Sequence, residues 1–304
     1  LIYSNKNCSI ILYDILCNKK ISEIKNAHSY YITGIRHYLD IINKKDYFIS
    51  ICFNENNLKL WNLYNYECLL NLKIDKNSAN LNSACFLNDK DQIYIVISNG
   101  FLNSKKVNLP IFDFKGNKIK EINDSKEDTF FIDNYYDYNS SKNYIITGNI
   151  GFCKSYDYDL NKIYHKYYDK ENGGKEHHSA IINNTDDGTS FWSLFGVTIT
   201  QLKESCGDGF NRIWDFHLGN LIKKINCNDY LNCVCLWDSE YAFVGCDNKT
   251  IKLIDLKSGE IIKDLIGHNS HILYIKKINH QKYGECLISQ GYKDDQIRLW
   301  VIDK

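Results

Sequence analysis

The chain has 304 residues, 44% of them hydrophobic and 24% charged, so it can bury a sizeable core and its composition excludes a disordered protein. Lysine plus arginine and aspartate plus glutamate each number 37, so no net charge favours nucleic acid or an anionic membrane. No apolar run approaches the roughly 18 residues that a membrane helix needs. We therefore expect neither a nucleic acid partner nor insertion into a membrane.

Twelve cysteines are scattered through apolar, strand-like runs, without the dense spacing of a small secreted scaffold. This distribution predicts reduced, buried thiols in a cytoplasmic or nuclear protein. Cys233 and Cys235 are close in sequence, and the alternation of side chains along a strand places them on one face. A zinc site would need a second pair of cysteines, or histidines at ligand spacing. We interpret them as core thiols.

Seven β-rich segments each end in the same kind of two-residue motif. Its first residue is large and apolar or aromatic, and its second is Asp or Asn, except in the last segment, where it is Val. In chain order the marks are Tyr13-Asp14, Trp61-Asn62, Phe112-Asp113, Tyr156-Asp157, Trp214-Asp215, Ile254-Asp255 and Trp300-Val301. They are separated by 48, 51, 44, 58, 40 and 46 residues, and a period in the forties is that of a four-stranded propeller blade. The sequence therefore predicts an all-β, seven-bladed β-propeller of four-stranded antiparallel blades.

The repeat places a single domain over residues 1–304. Its approximate blades are 1–27, 28–78, 79–126, 127–170, 171–228, 229–266 and 267–304. The sixth blade shows the internal pattern best, because turn residues separate four short apolar stretches, as in an antiparallel meander.

The two terminal blades are expected to be incomplete. The first begins at its second strand, and the last stops after its third. We expect three strands in each, with residues upstream of Leu1 in a parent protein supplying the missing strands. Alternatively, a partner chain donates them.

Three blades carry a recurring polar set. The last has His268, Ser289, Asp294 and Trp300, the second has His28, Ser50, Glu55 and Trp61, and the fifth has His177 or His178 followed by Asp208 and Trp214. Together with the repeat period, these residues resemble the WD-repeat β-propeller family. The resemblance implies that each set forms a structural hydrogen-bonded chain from the surface into its blade.

The other blades depart from this pattern. The first, fourth and sixth have Asn7, Ile150 and Asn248 at the turn position, and the third has Lys106 there. Pro110 falls in the third strand of the third blade, where its missing N–H weakens pairing.

Catalytic and cofactor sites are not expected. A Ser/His/Asp set needs a strained, exposed nucleophile such as that of a G-x-S-x-G turn, and the sequence has none. Glycines in GNIGF (148–152) and CGDGF (206–210) lie at strand turns rather than before helices, so they favour turns over phosphate loops. Paired carboxylates at Asp186 and Asp187, or at Asp294 and Asp295, are explained by turn chemistry. We therefore expect a protein that is not an enzyme and has no catalytic, cofactor or metal residues.

The resemblance implies a scaffold that holds other proteins within a larger complex. Family members bind partners with the loops that enter the inner strand of each blade. The corresponding positions here are Tyr31, Thr33, Tyr230, Asn232, His271 and Leu273. Tyrosines there either anchor a partner or merely reflect a tyrosine-rich chain.

Two alternatives remain open. One is a phosphoinositide-binding propeller, although the basic Arg-Arg pair of such proteins is absent and Arg36, Arg212 and Arg298 lie in different blades. The other is an enzyme whose site assembles at the channel mouth from several blades.

The fifth blade contains an aromatic insertion near FWSLFGVTIT (191–200). We place Phe191, Trp192 and Phe195 at or near the loop between its first two strands. There they either cap the blade or form a patch for a second partner.

Overall fold

The computed structural model describes residues 1–302 apart from 42, 75–79, 91, 101–107, 124–127, 173–174, 186–198, 293 and 295. The described residues form β-strands and one short 3₁₀ turn, Lys170–Asn172, and no helix among them is long and apolar enough to span a bilayer. The described strands build seven antiparallel sheets, which confirms the predicted all-β class and the seven blades.

The first of two compact units comprises Leu1–Thr147 and Ser155–Tyr164. Three sheets lie wholly within it, one of three strands and two of four. Their strands are β1 (Ile2–Ser4), β2 (Ile10–Asp14) and β3 (Lys19–Ile24); β4 (Gly34–Asp40), β5 (Lys45–Cys52), β6 (Asn57–Asn62) and β7 (Cys68–Lys73); and β8 (Asn80–Asp89), β9 (Gln92–Gly100), β10 (Asn108–Phe112) and β11 (Lys118–Asn123).

The second unit comprises Gly148–Lys154 and His165–Lys304, and three further sheets lie within it. Their strands are β16 (His177–Thr185), β17 (Ile199–Cys206), β18 (Phe210–Asp215) and β19 (Leu221–Asn226); β20 (Leu231–Leu236), β21 (Tyr241–Cys246), β22 (Thr250–Asp255) and β23 (Ile261–Ile266); and β24 (Ile272–His280), β25 (Gly284–Gly291) and β26 (Ile297–Val301). The remaining sheet has residues in both units and consists of β12 (Thr129–Asp137), β13 (Lys142–Asn149), β14 (Phe152–Asp157) and β15 (Lys162–Tyr168).

Each sheet is a meander whose strands follow one another in chain order. The first and last sheets have three strands each, β1-β2-β3 and β24-β25-β26, which confirms that the terminal blades are three-stranded. LIYSN, CSIILYD and KKISEIK supply the three strands at one end of the chain, as the repeat predicted.

The repeat marks coincide with a local irregularity of the sheets. In five sheets the pairing of the last two strands shifts register at the mark, namely at Tyr13, Trp61, Phe112, Trp214 and Ile254. A β-bulge at such a position re-aims the side chain and increases the local twist. In these five sheets the mark therefore lies where the pairing of the sheet is irregular.

Apolar clusters fill the spaces between neighbouring sheets. In the first unit, Ile51 and Leu58 of one sheet pack with Leu81 and Ile95 of the next. In the second unit, Ile213 and Val244 belong to one cluster that joins β18 to β21. Sheets buried on both faces explain why the inner strands read as nearly continuous apolar runs.

Pro110 lies inside β10, as the sequence indicated. The register pairs of β10 with β9 are Ile111 with Val96 and Phe112 with Ile95, both after the proline. On its other side β10 pairs with β11 through Pro110 itself, opposite Glu121. The strand accommodates the proline because its missing donor falls where the pairing with β9 has not yet begun.

All twelve cysteines are free thiols. Nine are buried and Cys8 is partly buried, but Cys17 and Cys68 are exposed, so the expectation of buried thiols holds for most of the set rather than for all of it.

Candidate functional site

The last sheet brings its four polar residues together. His268 Nδ1 donates to Asp294 Oδ2 at 2.8 Å, His268 Nε2 lies 2.6 Å from Ser289 Oγ, and Trp300 Nε1 donates to the same oxygen at 2.7 Å. His268 and Ser289 are buried. Each polar group that would be costly alone has a partner within the set.

The second sheet repeats this arrangement with a glutamate in place of the aspartate. His28 Nδ1 donates to Glu55 Oε2, His28 Nε2 contacts Ser50 Oγ, and Trp61 Nε1 donates to Ser50 Oγ, all at 2.8 Å. Burial opposes the ionisation of Glu55, but hydrogen bonds from Ser29 and His28 lower its pKa from the usual 4.5 to about 2. Burial in turn lowers the pKa of His28, so its imidazole is neutral near pH 7.

The fifth sheet departs from this arrangement. Strand register places Ser50 opposite Lys59 and Ser289 opposite Arg298, and the equivalent pair in the fifth sheet is Glu204 with Arg212. A glutamate therefore stands where the other two networks have serine.

The substitution changes the partner of the histidine. His177 Nδ1 donates to Glu204 Oε2 at 2.8 Å, so His177 is the histidine that enters the blade. The prediction that Asp208 belongs to this network is corrected, because Asp208 forms an ion pair with Arg212 instead. Trp214 Nε1, which should have reached a serine, is buried without a hydrogen-bond partner.

Two cysteines flank the His177–Glu204 pair. Cys206 Sγ lies 3.7 Å from His177 Nε2. One potential metal-ligand atom from each of Cys153, His177 and Glu204 lies within 4.8 Å of the other two, and all three residues are buried. The sequence analysis missed this cluster, since its members come from β14, β16 and β17 and are not close along the chain.

The pair is an ionic one. Burial opposes a charge on His177, but the Glu204 carboxylate and the neighbouring Cys153 raise its pKa well above the usual range. Burial likewise opposes the ionisation of Glu204, but the charge of His177 lowers its pKa. Burial raises the pKa of the Cys153 thiol, so that thiol is protonated at neutral pH.

Arg212 is the centre of a separate buried ion network. Its side chain is fully buried and its Nε donates to Asp169 Oδ2 at 2.9 Å, while its other nitrogens reach Asp208. Lys224 also contacts Asp169 at 2.9 Å. Because its guanidinium is enclosed in this way, Arg212 is not available to a lipid headgroup.

The fold is decided by comparison with a solved structure. The WD40 β-propeller domain of Doa1 matches this chain with a TM-score of 0.66 and 15% sequence identity, over 90% of this chain and 80% of that one. The chain has the WD40 β-propeller fold.

Sequence comparisons give shorter matches to WD40 proteins. The chain is 27% identical over 94 residues to the U3 small nucleolar RNA-associated protein 21 homolog of Schizosaccharomyces pombe, covering 31% of this chain and 10% of that protein. It is 26% identical over 112 residues to the small ribosomal subunit protein RACK1 of Glycine max, covering 32% of this chain and 34% of that protein. The matches thus span about a tenth and a third of these relatives, and no family model matches the sequence.

The six loop positions suggested by the WD40 resemblance differ in exposure. Tyr31, Thr33 and Leu273 are exposed, whereas Tyr230, Asn232 and His271 are partly buried. Tyr230 is also engaged within the fold, because its hydroxyl donates to Glu176 at 2.9 Å and its ring covers Gly207.

Some predicted features fall outside the described residues. These are Lys106, Phe191, Trp192 and Phe195, together with Asp186, Asp187 and Asp295. At the turn positions that are described, Asn7 is exposed, Ile150 is 40% exposed, and the side chain of Asn248 accepts hydrogen bonds from Thr250.

Proposed function

We propose that this WD40 chain is a non-catalytic scaffold that holds other proteins, within a larger complex, on the loops that lead into the first strand of its sheets. The observation that carries the proposal is the exposure of apolar side chains at this end of the sheets, with Tyr31 in the loop before β4 63% exposed and Leu273 at the start of β24 46% exposed. Tyrosine is one of the residue types that are enriched among the dominant contacts of protein interfaces.

In the first unit the loop before β4 presents two adjacent tyrosines, Tyr30 and Tyr31, both more than half exposed. Two residues later, the backbone N–H of Thr33 donates to the carbonyl of Ile51 at 2.8 Å, and its hydroxyl reaches the same oxygen at 3.3 Å. The loop is thus tied to β5. An anchor held in this way loses less conformational freedom on binding.

In the second unit the exposed residues lie on β24 and its flanks. Leu273 and Tyr274 are exposed, and the His271 ring stacks on Tyr292 with centroids 4.7 Å apart. The neighbouring strand β20 carries Asn232, whose amide donates to Asp247 at 2.8 Å. Protein interfaces commonly combine an apolar centre with a rim of polar groups, and this surface has both.

The similarity to RACK1 and to the U3 small nucleolar RNA-associated protein supports membership of a complex, because their names describe a ribosomal subunit component and a nucleolar RNA-associated protein. By extension we propose a cytoplasmic or nuclear location for this chain.

The proposal is tested with matched tyrosine variants. Tyr64, which is 66% exposed, lies on the β6–β7 turn at the opposite end of the sheet from Tyr31, since a meander alternates its turns between two ends. Tagged wild type, Tyr31→Ala and Tyr64→Ala are purified from the native source and their partners quantified by mass spectrometry. We expect Tyr31→Ala to deplete specific partners and Tyr64→Ala to retain them.

Equal retention of all partners by Tyr31→Ala and by a Leu273→Asp variant, with unchanged thermal stability, would overturn the proposal. The phosphoinositide alternative is tested in parallel by sedimentation with vesicles that contain phosphoinositides. Sedimentation of the purified chain with those vesicles, but not with neutral vesicles, would favour that alternative.

A further inference from the structure

The geometry points to a buried binding site for one divalent cation of the zinc type, with Cys153, His177 and Glu204 as its protein ligands. These are a thiolate, an imidazole and a carboxylate, which are the donors that Zn²⁺ takes in proteins. The sequence had predicted no metal site, because the three residues lie on three different strands of two sheets.

The ligand atoms are already close together. One donor atom from each residue lies within 4.8 Å of the others, and Cys153 and Glu204 are fully buried while His177 is 1% exposed. In a tetrahedral zinc site, neighbouring nitrogen and oxygen ligands are about 3.4 Å apart, as follows from metal–ligand bonds of roughly 2.0–2.2 Å. His177 Nδ1 and Glu204 Oε2 are 2.8 Å apart, so a small opening of this pair admits the ion.

An independent observation points to a missing ligand. Glu204 stands where the second and last sheets have serine, and its Oε1 is buried without a hydrogen-bond partner. A buried carboxylate oxygen without a partner is costly. A cation bound to this carboxylate provides the compensation that the described residues do not supply to Oε1.

The other ring nitrogen of His177 is placed to support metal binding. Nε2 lies 3.7 Å from Cys206 Sγ, so Nε2–H donates toward that sulfur when Nδ1 binds the ion. Metal-bound histidines usually donate their second N–H to a neighbouring acceptor, which fixes the tautomer and the ring orientation. Cys206 has this supporting role.

The charges balance. Binding displaces one proton from the Cys153 thiol and one from between His177 Nδ1 and Glu204 Oε2, and both protons leave to solvent. A dication, a thiolate, a carboxylate and a neutral imidazole then sum to zero. A neutral buried cluster avoids the desolvation penalty of an isolated charge.

A similar cluster in the second sheet serves as an internal comparison. His28, Cys52 and Glu55 also come together, but both carboxylate oxygens of Glu55 accept hydrogen bonds, Oε2 from His28 Nδ1 and Oε1 from the backbone N–H of Ser29. The second ring nitrogen of His28 contacts Ser50. Ser50 also satisfies Trp61, so this network is complete without an ion. The cation site is therefore specific to the fifth sheet.

The test uses the full chain with Cys17→Ser and Cys68→Ser as background, because these two exposed thiols would otherwise bind added metal. Chelator-treated protein is titrated with Co²⁺ and then with Zn²⁺. We expect one ion per chain and a thiolate-to-cobalt charge-transfer band that Zn²⁺ abolishes. Cys153→Ser should remove the band, and Glu204→Gln should weaken the affinity for Zn²⁺ by about tenfold or more. The control Cys52→Ser should change neither the band nor the affinity.

X-ray absorption of the zinc-loaded background protein gives a readout that does not depend on whether the variants fold. The proposal predicts one sulfur ligand with nitrogen and oxygen ligands. No stoichiometric binding, a sulfur count other than one, or a folded Cys153→Ser variant that keeps the charge-transfer band would overturn it.

Discussion

His28 Nδ1 donates a hydrogen bond of 2.8 Å to Glu55 Oε2. The histidine side chain is fully buried, whereas that of the glutamate is 14% exposed, so only the carboxylate is near solvent. The folded chain therefore holds Glu55 ionised down to a pKa of about 2, against 4.5 when it is unfolded. A carboxyl whose pKa is lowered by folding stabilises the protein above its unfolded pKa and loses that contribution as pH falls through its folded pKa.

The first prediction is that the stability difference between wild type and Glu55→Gln depends on pH. The difference should be constant from pH 7 to about pH 5 and shrink between about pH 5 and 2, by on the order of 2–3 kcal/mol. Urea unfolding at a series of pH values measures it. Glu67→Gln, which makes the same replacement at an exposed carboxylate that accepts a hydrogen bond from Asn65, is the matched control.

A second prediction concerns the network in the last sheet. His268→Ala and Asp294→Asn should each lower the free energy of unfolding by about 1–3 kcal/mol, because each leaves a buried partner unsatisfied. His37→Ala, which removes a histidine at a half-exposed ion pair, should cost less than about 1 kcal/mol. Thermal melts of His268→Ala and Asp294→Asn that coincide with the wild-type melt would mean that the contacts contribute nothing.

The third prediction concerns Arg212. Arg212→Ala leaves Asp208 without its buried cation and Asp169 with Lys224 alone, so we expect a loss of about 3–5 kcal/mol. Lys20→Ala breaks an exposed pair with Glu23 and should cost much less, because exposed ion pairs contribute little to stability. Denaturant unfolding compares the two, and equal costs would show that burial of the Arg212 network has no energetic consequence.

Close packing between two sheets gives a fourth prediction. A Cβ on Gly245 would lie 2.5 Å from Cys233 Sγ and 2.7 Å from Ile272 Cγ2, in the space between β21 and β24. Gly245→Ala should therefore destabilise the chain by about 1–3 kcal/mol through overpacking. At Gly34 the nearest atom is the tip of Ile51 at 3.2 Å, so Gly34→Ala should be milder, and the reverse order of melting temperatures would refute the argument.

The fold was predictable because one physical event repeats. In five sheets the pairing of the last two strands shifts register at a bulge, and the residue at that bulge is the mark that reveals the period. The three-stranded ends followed from counting strand-like stretches at the two ends of the chain, which are LIYSN, CSIILYD and KKISEIK at one end and HILYIKKI, ECLISQ and QIRLWVID at the other. These inferences needed only local sequence patterns.

The fifth sheet could not be read in the same way. Asp208 precedes Trp214 by the same six residues that separate Asp294 from Trp300, and the spacing therefore favoured Asp208. The hairpin is one residue shorter here, since Glu204 precedes Trp214 by ten residues whereas Ser289 precedes Trp300 by eleven. The spacing between Asp208 and Trp214 does not reveal that the hairpin is one residue shorter. The pairing register of the strands is what identifies Glu204 as the residue equivalent to Ser289.

The loop positions show a second limit. The family resemblance treated Tyr31 and Tyr230 alike, but the hydroxyl of Tyr230 is bonded to Glu176 and its ring packs on Gly207. Glu176 lies 54 residues away along the chain, so no local pattern indicates this contact.

The scaffold proposal is tested most directly by hydrogen exchange on the chain alone and in its purified native complex. The account predicts that partner binding protects the backbone amides of residues 28–33 or of 271–274, and leaves the β6–β7 turn at residues 63–66 unchanged. Protection confined to 63–66, with exchange at both loop segments unaltered, would contradict it.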